Sequence, residues 1–211
     1  MTAAAWVLLA VAAVFALGDW VAVGHGKKAL EYVCKPAVTA ALVATAATVD
    51  AAQSDVRAWF VAALVCCLAG DVFLMLPGDR FVPGLGSFLV AHALFVVGFS
   101  LHPGGARGYA VGVVVVAAVG LPLVVRFVGA LRRSGGGELV APVIAYFVAI
   151  SAMVVSAIAG GDADAVTGAV LFFVSDGLIA ETRFVGTRRG APVAIMVTYH
   201  LALAALVVSL V

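Results

Sequence analysis

Apolar residues fill long blocks of this chain, and short breaks carrying charge, glycine or proline separate them. A helix needs roughly 20 mostly apolar residues to cross a bilayer core. Cut at the breaks, the pattern predicts eight such helices, over about 3–23, 36–51, 58–76, 82–101, 109–128, 139–159, 165–185 and 191–211. The second is the weakest, because Lys35 and Asp50 bound it closely. It is rich in Ala and in Thr39, Thr45 and Thr48, which suits close packing between membrane helices. Every connection is short, so the expected fold is an all-α integral membrane protein forming one transmembrane domain over residues 1–211. The first block lacks a basic leader and its apolar run is longer than that of a signal peptide, so it is expected to stay as a helix.

Composition sharpens the class. Of 211 residues, 65% are hydrophobic and 11% charged, against roughly a quarter charged in a soluble domain. This excludes a soluble enzyme, a secreted disulfide scaffold and a disordered chain. Lys and Arg number 12 and Asp and Glu 11, for a net charge of +1, so no basic footprint for nucleic acid exists. The three cysteines, Cys34, Cys66 and Cys67, read as small buried hydrophobes. Ten Lys and Arg fall in or beside the 1–2, 3–4, 5–6 and 7–8 connections, and only Arg57 and Arg107 lie at the other end. Positive residues mark the cytoplasmic side, so both termini are expected outside the cytoplasm. Trp6, Trp59 and Tyr109 near outer helix ends and Trp20 near an inner end fit an aromatic belt.

Three landmarks recur at nearly one offset. Pro36 and Pro142 are 106 residues apart, Asp71 and Asp176 105, and His92 and His200 108. Two four-helix halves related by an axis along the membrane normal would produce this. On this pattern Pro36 and Pro142 open spans two and six.

Ionisable groups inside a bilayer are costly, so each is a candidate functional residue. They are Asp19, Asp71, His92, Asp176, Glu181 and His200, with Lys35 at the boundary. At 1.5 Å per residue, Asp19 and Asp71 lie roughly 6–8 Å from the inner ends, and His92, Asp176 and His200 roughly 13–15 Å in. The set shares one half of the membrane, as the lining of a cavity open to the cytoplasmic leaflet would. Each has a structural alternative. Asp19 near the interface is read as solvated, and Glu181 as paired with the basic 7–8 connection. His92 and His200 are read as core histidines bonded across helices. Asp71 and Asp176 are harder to explain so, because a carboxylate in an apolar span must be paired or protonated and neither has a preceding base in its own span. Phe88, His92, Phe95 and Phe99 share one helix face, which reads as helix packing. Two carboxylates in one apolar pocket can act as general acid and general base, suited to adding water across an acid-labile bond. No nucleophile elbow, His-Glu-x-x-His motif or zinc spacing is present. No metal or cofactor is therefore expected.

At these residues the sequence resembles the YhhN-type lysoplasmalogenase family of eight-helix membrane proteins. The matching pieces are Lys35-Pro36, Ala69-Gly70-Asp71-Val72-Phe73-Leu74-Met75-Leu76, and Phe88 with His92. Ser175-Asp176-Gly177-Leu178-Ile179-Ala180 with Phe184, and Thr198-Tyr199, complete the set. Two positions depart from the pattern: His200 where an aromatic residue, often Tyr, is common, and Leu203 where Gln is common. The resemblance implies hydrolysis of the vinyl ether bond of alkenyl lysophospholipids to a fatty aldehyde and glycerophospho-ethanolamine or -choline. It implies Asp71 and Asp176 as catalytic residues, in either order of acid and base. Lys35, His92, His200, Asp19 and Tyr199 are expected on the substrate side, with Lys35 near the phosphate. A lysophospholipid and the surrounding membrane lipids are the expected partners, in a bacterial inner membrane. The alternative is a proton-coupled transporter of a small molecule or lipid; the nearly bare outer half argues against it, since alternating access needs a path through both leaflets.

Overall fold

A computed structural model describes residues 1–211 as eight helices. They are α1 (Ala3–Gly24), α2 (Lys28–Thr48), α3 (Ser54–Met75), α4 (Phe81–Leu101), α5 (Ala106–Arg133), α6 (Val140–Gly160), α7 (Ala163–Ala180) and α8 (Ala191–Val208). All eight are long and apolar enough to cross a membrane, so the chain is an all-α, multi-pass integral membrane protein. A 3₁₀ turn, Gly137–Leu139, leads into α6, and a π-helical turn, Glu181–Val185, follows α7.

Three boundaries differ from the sequence pattern by five residues or more. Helix α2 begins eight residues before the predicted 36, so Pro36 lies inside it rather than at its start. Its charges do not break it because they are paired: Lys28 with Glu31 at 2.8 Å, and Lys35 with Asp71 across the helix interface. Helix α5 extends to Arg133, where Arg132 and Arg133 in its last turn complement the helix dipole. The predicted 165–185 block is α-helical only to Ala180.

Helices α1, α2, α3, α4, α6, α7 and α8 pack in sequence around a ring that α8 closes against α1 and α2. Helix α5 lies outside it, mainly against α6 and the π-turn. Neighbour order runs alike in the two halves: α2 touches α3, which touches α4, as α6 touches α7, which touches α8. Helix α4 meets α6 where α8 meets α2. Small residues permit the close approaches. A Cβ on Gly70 would lie 2.6 Å from the Phe88 ring, and one on Gly108 would lie 2.8 Å from the α6 backbone at Ala159.

The core runs through Leu42, Phe60, Leu64, Phe95, Met153, Phe172 and Leu203. Phe60 meets Phe95 and Phe99 edge-on, with centroids 5.0 and 5.2 Å away. That half of the α4 aromatic stripe is packing. Both termini lie at one end with the 2–3 connection: Thr2 Oγ1 donates to the Thr48 carbonyl, and the Ala52 N–H donates to the Leu210 carbonyl, each at 3.0 Å.

Candidate active site

The two aspartates sit on different helices, each held between two others. Asp71 of α3 is fully buried. Thr39 on α2 and Tyr199 on α8 donate to its Oδ2 at 2.6 and 2.8 Å. Lys35 Nζ stands 3.4 Å from its Oδ1. Lys35 and Thr39 are four residues apart, so α2 presents both on one face.

Asp176 of α7 has a different company. Tyr146 on α6 donates to its Oδ2 at 2.6 Å, and His92 Nε2 on α4 lies 3.6 Å from the same oxygen. His92 Nδ1 is 2.6 Å from the Phe88 carbonyl. A carbonyl only accepts, so Nδ1 carries a proton. Nε2 is buried with no hydrogen-bond partner, where an unpaired charge is costly, so the imidazole is neutral and turns its Nε2 lone pair toward Asp176. No cation stands beside this carboxyl.

No hydrogen bond joins the two carboxyls. Aromatic rings link their partners instead: Tyr199 packs edge-on to Phe88 and Phe172, and His92 to Phe172 and Tyr146. The buried Cys67, one turn before Asp71, is within electrostatic reach of both.

The partners share the offset of the aspartates. Thr39 and Tyr146 are 107 residues apart, as are His92 and Tyr199, against 105 for the aspartates. Each aspartate thus meets the helix before it in its own half and the last helix of the other half. The structural counterpart of His92 is Tyr199, which differs from the His200 pairing suggested by the sequence. The counterpart of Lys35 falls at Ala141, beside Pro142, so only one of the two sites has a cation.

Asp19 is not solvated, contrary to the sequence expectation. It is fully buried because α2 and α8 cover its face of α1. Neither of its carboxylate oxygens has a hydrogen-bond partner. His200 Nε2 lies 4.0 Å from its Oδ2, and Trp20 Nε1 donates to His200 Nδ1 at 3.1 Å. Adjacent residues of α8 therefore serve different carboxyls, Tyr199 that of Asp71 and His200 that of Asp19. Glu181 is bound bidentately by Arg126 of α5, at 2.7 and 3.0 Å, with Arg188 of the 7–8 connection at 3.4 Å. It fastens α5 to the end of α7.

Two cavities lead inward from the basic end. A vestibule of about 490 Å³ is lined by Lys28, Glu31, Lys35, Thr182, Arg183 and Thr187. A narrow apolar crevice of about 60 Å³, between Leu85, Phe88, Val143, Tyr146 and Phe184, reaches Asp176. Leu74, Phe81 and Ile179 wall both, so the two adjoin. Arg183 lies over the Phe81 ring, 4.9 Å from its centroid, and pairs with Asp79 in the 3–4 connection. Its hydrogen bond holds the Asp79 carboxyl below its ordinary range. No three His, Cys, Asp or Glu side chains converge at metal-ligand spacing.

Sequence reasoning missed Thr39 and Tyr146. Both are uncharged and lie within apolar spans, where the signal available was their shared offset.

Fold and site together define a multi-pass membrane protein with carboxyl groups inside its bundle, one of them, Asp176, at the base of a cavity that is polar at its mouth and apolar within. The chain belongs to the YhhN family, whose sequence model matches residues 30–210. It is 34% identical to the human lysoplasmalogenase TMEM86B over 140 residues, covering 66% of this chain and 58% of the relative. It is 35% identical to a Mycobacterium bovis lysoplasmalogenase over 136 residues, 61% of this chain and 51% of the relative. The mouse lysoplasmalogenase TMEM86B is 32% identical over 148 residues, 70% and 61% of the two chains. The chain therefore spans little more than half the length of the curated relatives it matches. No solved structure matches.

Proposed function

We propose that this protein is a lysoplasmalogenase, hydrolysing the vinyl ether of an alkenyl lysophospholipid drawn from the membrane. The observation that carries the reading is the apolar crevice that opens beside a cationic vestibule and ends on Asp176. A lysophospholipid has the same order of parts: a charged head, a short glycerol and one chain. Arg183, at the mouth, is seven residues beyond Asp176, roughly 10 Å along the helix. The phosphorus and the β-carbon of the vinyl ether are seven bonds apart, roughly 9 Å when extended. A phosphate at Arg183 thus brings the reacting carbon to Asp176.

Asp176 is the proton donor. It has no cation beside it and faces a lone pair on His92, an arrangement that suits a protonated carboxyl. Its proton goes to the β-carbon, using the electrons of the double bond, and leaves an oxocarbenium ion at the α-carbon. Asp71 is the carboxylate. It accepts two hydrogen bonds and faces Lys35. It takes a proton from the water that attacks the α-carbon. The resulting hemiacetal breaks its bond to the glycerol oxygen, which takes up the hemiacetal's hydroxyl proton while the hydroxyl carbon becomes the aldehyde. Asp71 then gives up its proton and Asp176 regains one through the crevice and the adjoining vestibule, so one water is consumed and no net proton. The basic end of the bundle is the cytoplasmic one in this reading.

The test is aldehyde release from alkenyl lysophosphatidylethanolamine, read by a coupled dehydrogenase, with acyl lysophosphatidylethanolamine as control. Aldehyde is expected from the vinyl ether alone, and Asp176→Asn is expected to lower the rate about 10²- to 10⁴-fold, the range of a lost general acid. Full activity in folded Asp176→Asn protein overturns the assignment of the acid. No aldehyde from the folded wild type overturns the activity.

A further inference from the structure

The buried carboxyl of Asp19 has no part in the reaction as drawn, yet it lies within electrostatic reach of Lys35 and Asp71. The charges in this region do not balance. Trp20 N–H is only a donor, so His200 Nδ1 accepts and the imidazole is neutral, with its proton on Nε2. Lys35 is then the one buried cation for two buried carboxyls. An uncompensated charge in an apolar interior costs several kcal/mol, so the group holds one proton. Its place follows from the hydrogen bonds. Every close partner of Asp71 donates to it, whereas both oxygens of Asp19 lack a partner. The remaining charged neighbours of Asp19 are Glu31 and Lys28, an ion pair that lines the vestibule.

We propose that Asp19 and Asp71 share one proton around Lys35, and that Asp19 releases a proton to the vestibule each time Asp71 takes one from the attacking water. At rest Asp71 is ionised and Asp19 carries the proton. When water delivers a proton to Asp71, Asp19 loses its own by way of Glu31, and the group stays neutral. Transfer from Asp71 back to Asp19 then restores the carboxylate. Asp19 is a positioning residue here, acting through Asp71 and never touching substrate.

The release step rests on the hydrolase reading; the shared proton does not. Infrared spectra of the substrate-free protein in lipid nanodiscs, with labelled aspartate, report the C=O stretch of protonated carboxyls. Asp19→Asn is expected to remove one such band. Asp71→Asn is expected to remove the same band, because Lys35 then has one carboxylate to neutralise and Asp19 ionises. The band that Asp176→Asn removes belongs to Asp176 and is set aside; if Asp19→Asn removes no other, the shared proton is overturned, whatever the activity. In turnover, Asp19→Asn is expected to lower kcat roughly 10- to 100-fold at unchanged KM, with a larger solvent deuterium effect, and Asp19→Glu to restore much of it. An unchanged kcat and isotope effect in folded Asp19→Asn overturns the release step. A wild type that gives no aldehyde removes the reaction but leaves the infrared result to decide the proton.

Discussion

Replacing Lys35 by Met leaves Asp71 buried without its cation while keeping most of the side-chain volume. The pair is almost wholly shielded from solvent, with side chains 6% and 0% exposed. Water and counterions cannot take the place of the ammonium, so the folded variant takes up a proton on Asp71. The unfolded chain ionises near the ordinary aspartate value of about 3.9. Carrying that proton at pH 7 costs about 4 kcal/mol, and at pH 5 about 1.5 kcal/mol, at about 1.4 kcal/mol per pH unit. The sign follows from proton counting: the folded variant binds one proton more than the unfolded chain, so its stability falls as pH rises. The larger figure falls within the ~3–5 kcal/mol typical of breaking a buried ion pair. Reversible unfolding in detergent, compared with wild type at pH 5 and pH 7, measures it. The double variant Lys35→Met/Asp71→Asn removes both charges and is expected to recover most of the loss. An equal deficit at both pH values, or a double variant no more stable than Lys35→Met, refutes the reasoning.

Further outcomes follow from the same geometry. Tyr146→Phe deletes the 2.6 Å hydrogen bond to Asp176; at about 1–1.5 kcal/mol for such a bond, aldehyde release slows roughly tenfold. Gly70→Ala drives a methyl to within 2.6 Å of the Phe88 ring and costs about 1–3 kcal/mol in thermal unfolding. Gly86→Ala in α4, where a Cβ meets nothing within 4 Å, is neutral or stabilising by up to about 1 kcal/mol. At Asp79, whose folded value is lowered by Arg183, the pair contributes above the ordinary carboxylate range and is lost as pH falls through the lowered value. NMR titration of labelled aspartate in Arg183→Gln protein is expected to show that carboxyl moved up toward its ordinary range, with the Phe81 N–H still lowering it.

The eight helices were legible because a bilayer demands long apolar runs, and nothing else in this composition produces them. Where charges cancel through tertiary pairing, the same reasoning failed. Helix α2 starts at Lys28 because Lys35 meets Asp71 from another helix, a partner no local window contains. Asp71 and Asp176 stood out by cost alone. Their partners Thr39 and Tyr146 did not, since an uncharged hydroxyl can enter a membrane helix cheaply. Asp19 was misplaced for a related reason: its distance from a helix end is local, but its burial depends on α2 and α8. The sequence offered the spacing that relates the halves and so sets Ala141 opposite Lys35, but it could not show that Lys35 faces Asp71.

The wide turn that ends α7 is closed by the Gly186 N–H on the Glu181 carbonyl, five residues back. Within it Glu181 turns toward α5 while Phe184 meets Phe81 edge-on, with centroids 5.9 Å apart. Deleting one residue from 177–180, with the wide turn kept, would rotate whatever follows by roughly 100°. Asp176 precedes the change and would keep its place, while Arg183 and Phe184 would swing away from Phe81. The residue count of this short stretch therefore sets the phase between the mouth and the carboxyl below it, so that an insertion or deletion there matters more than most substitutions.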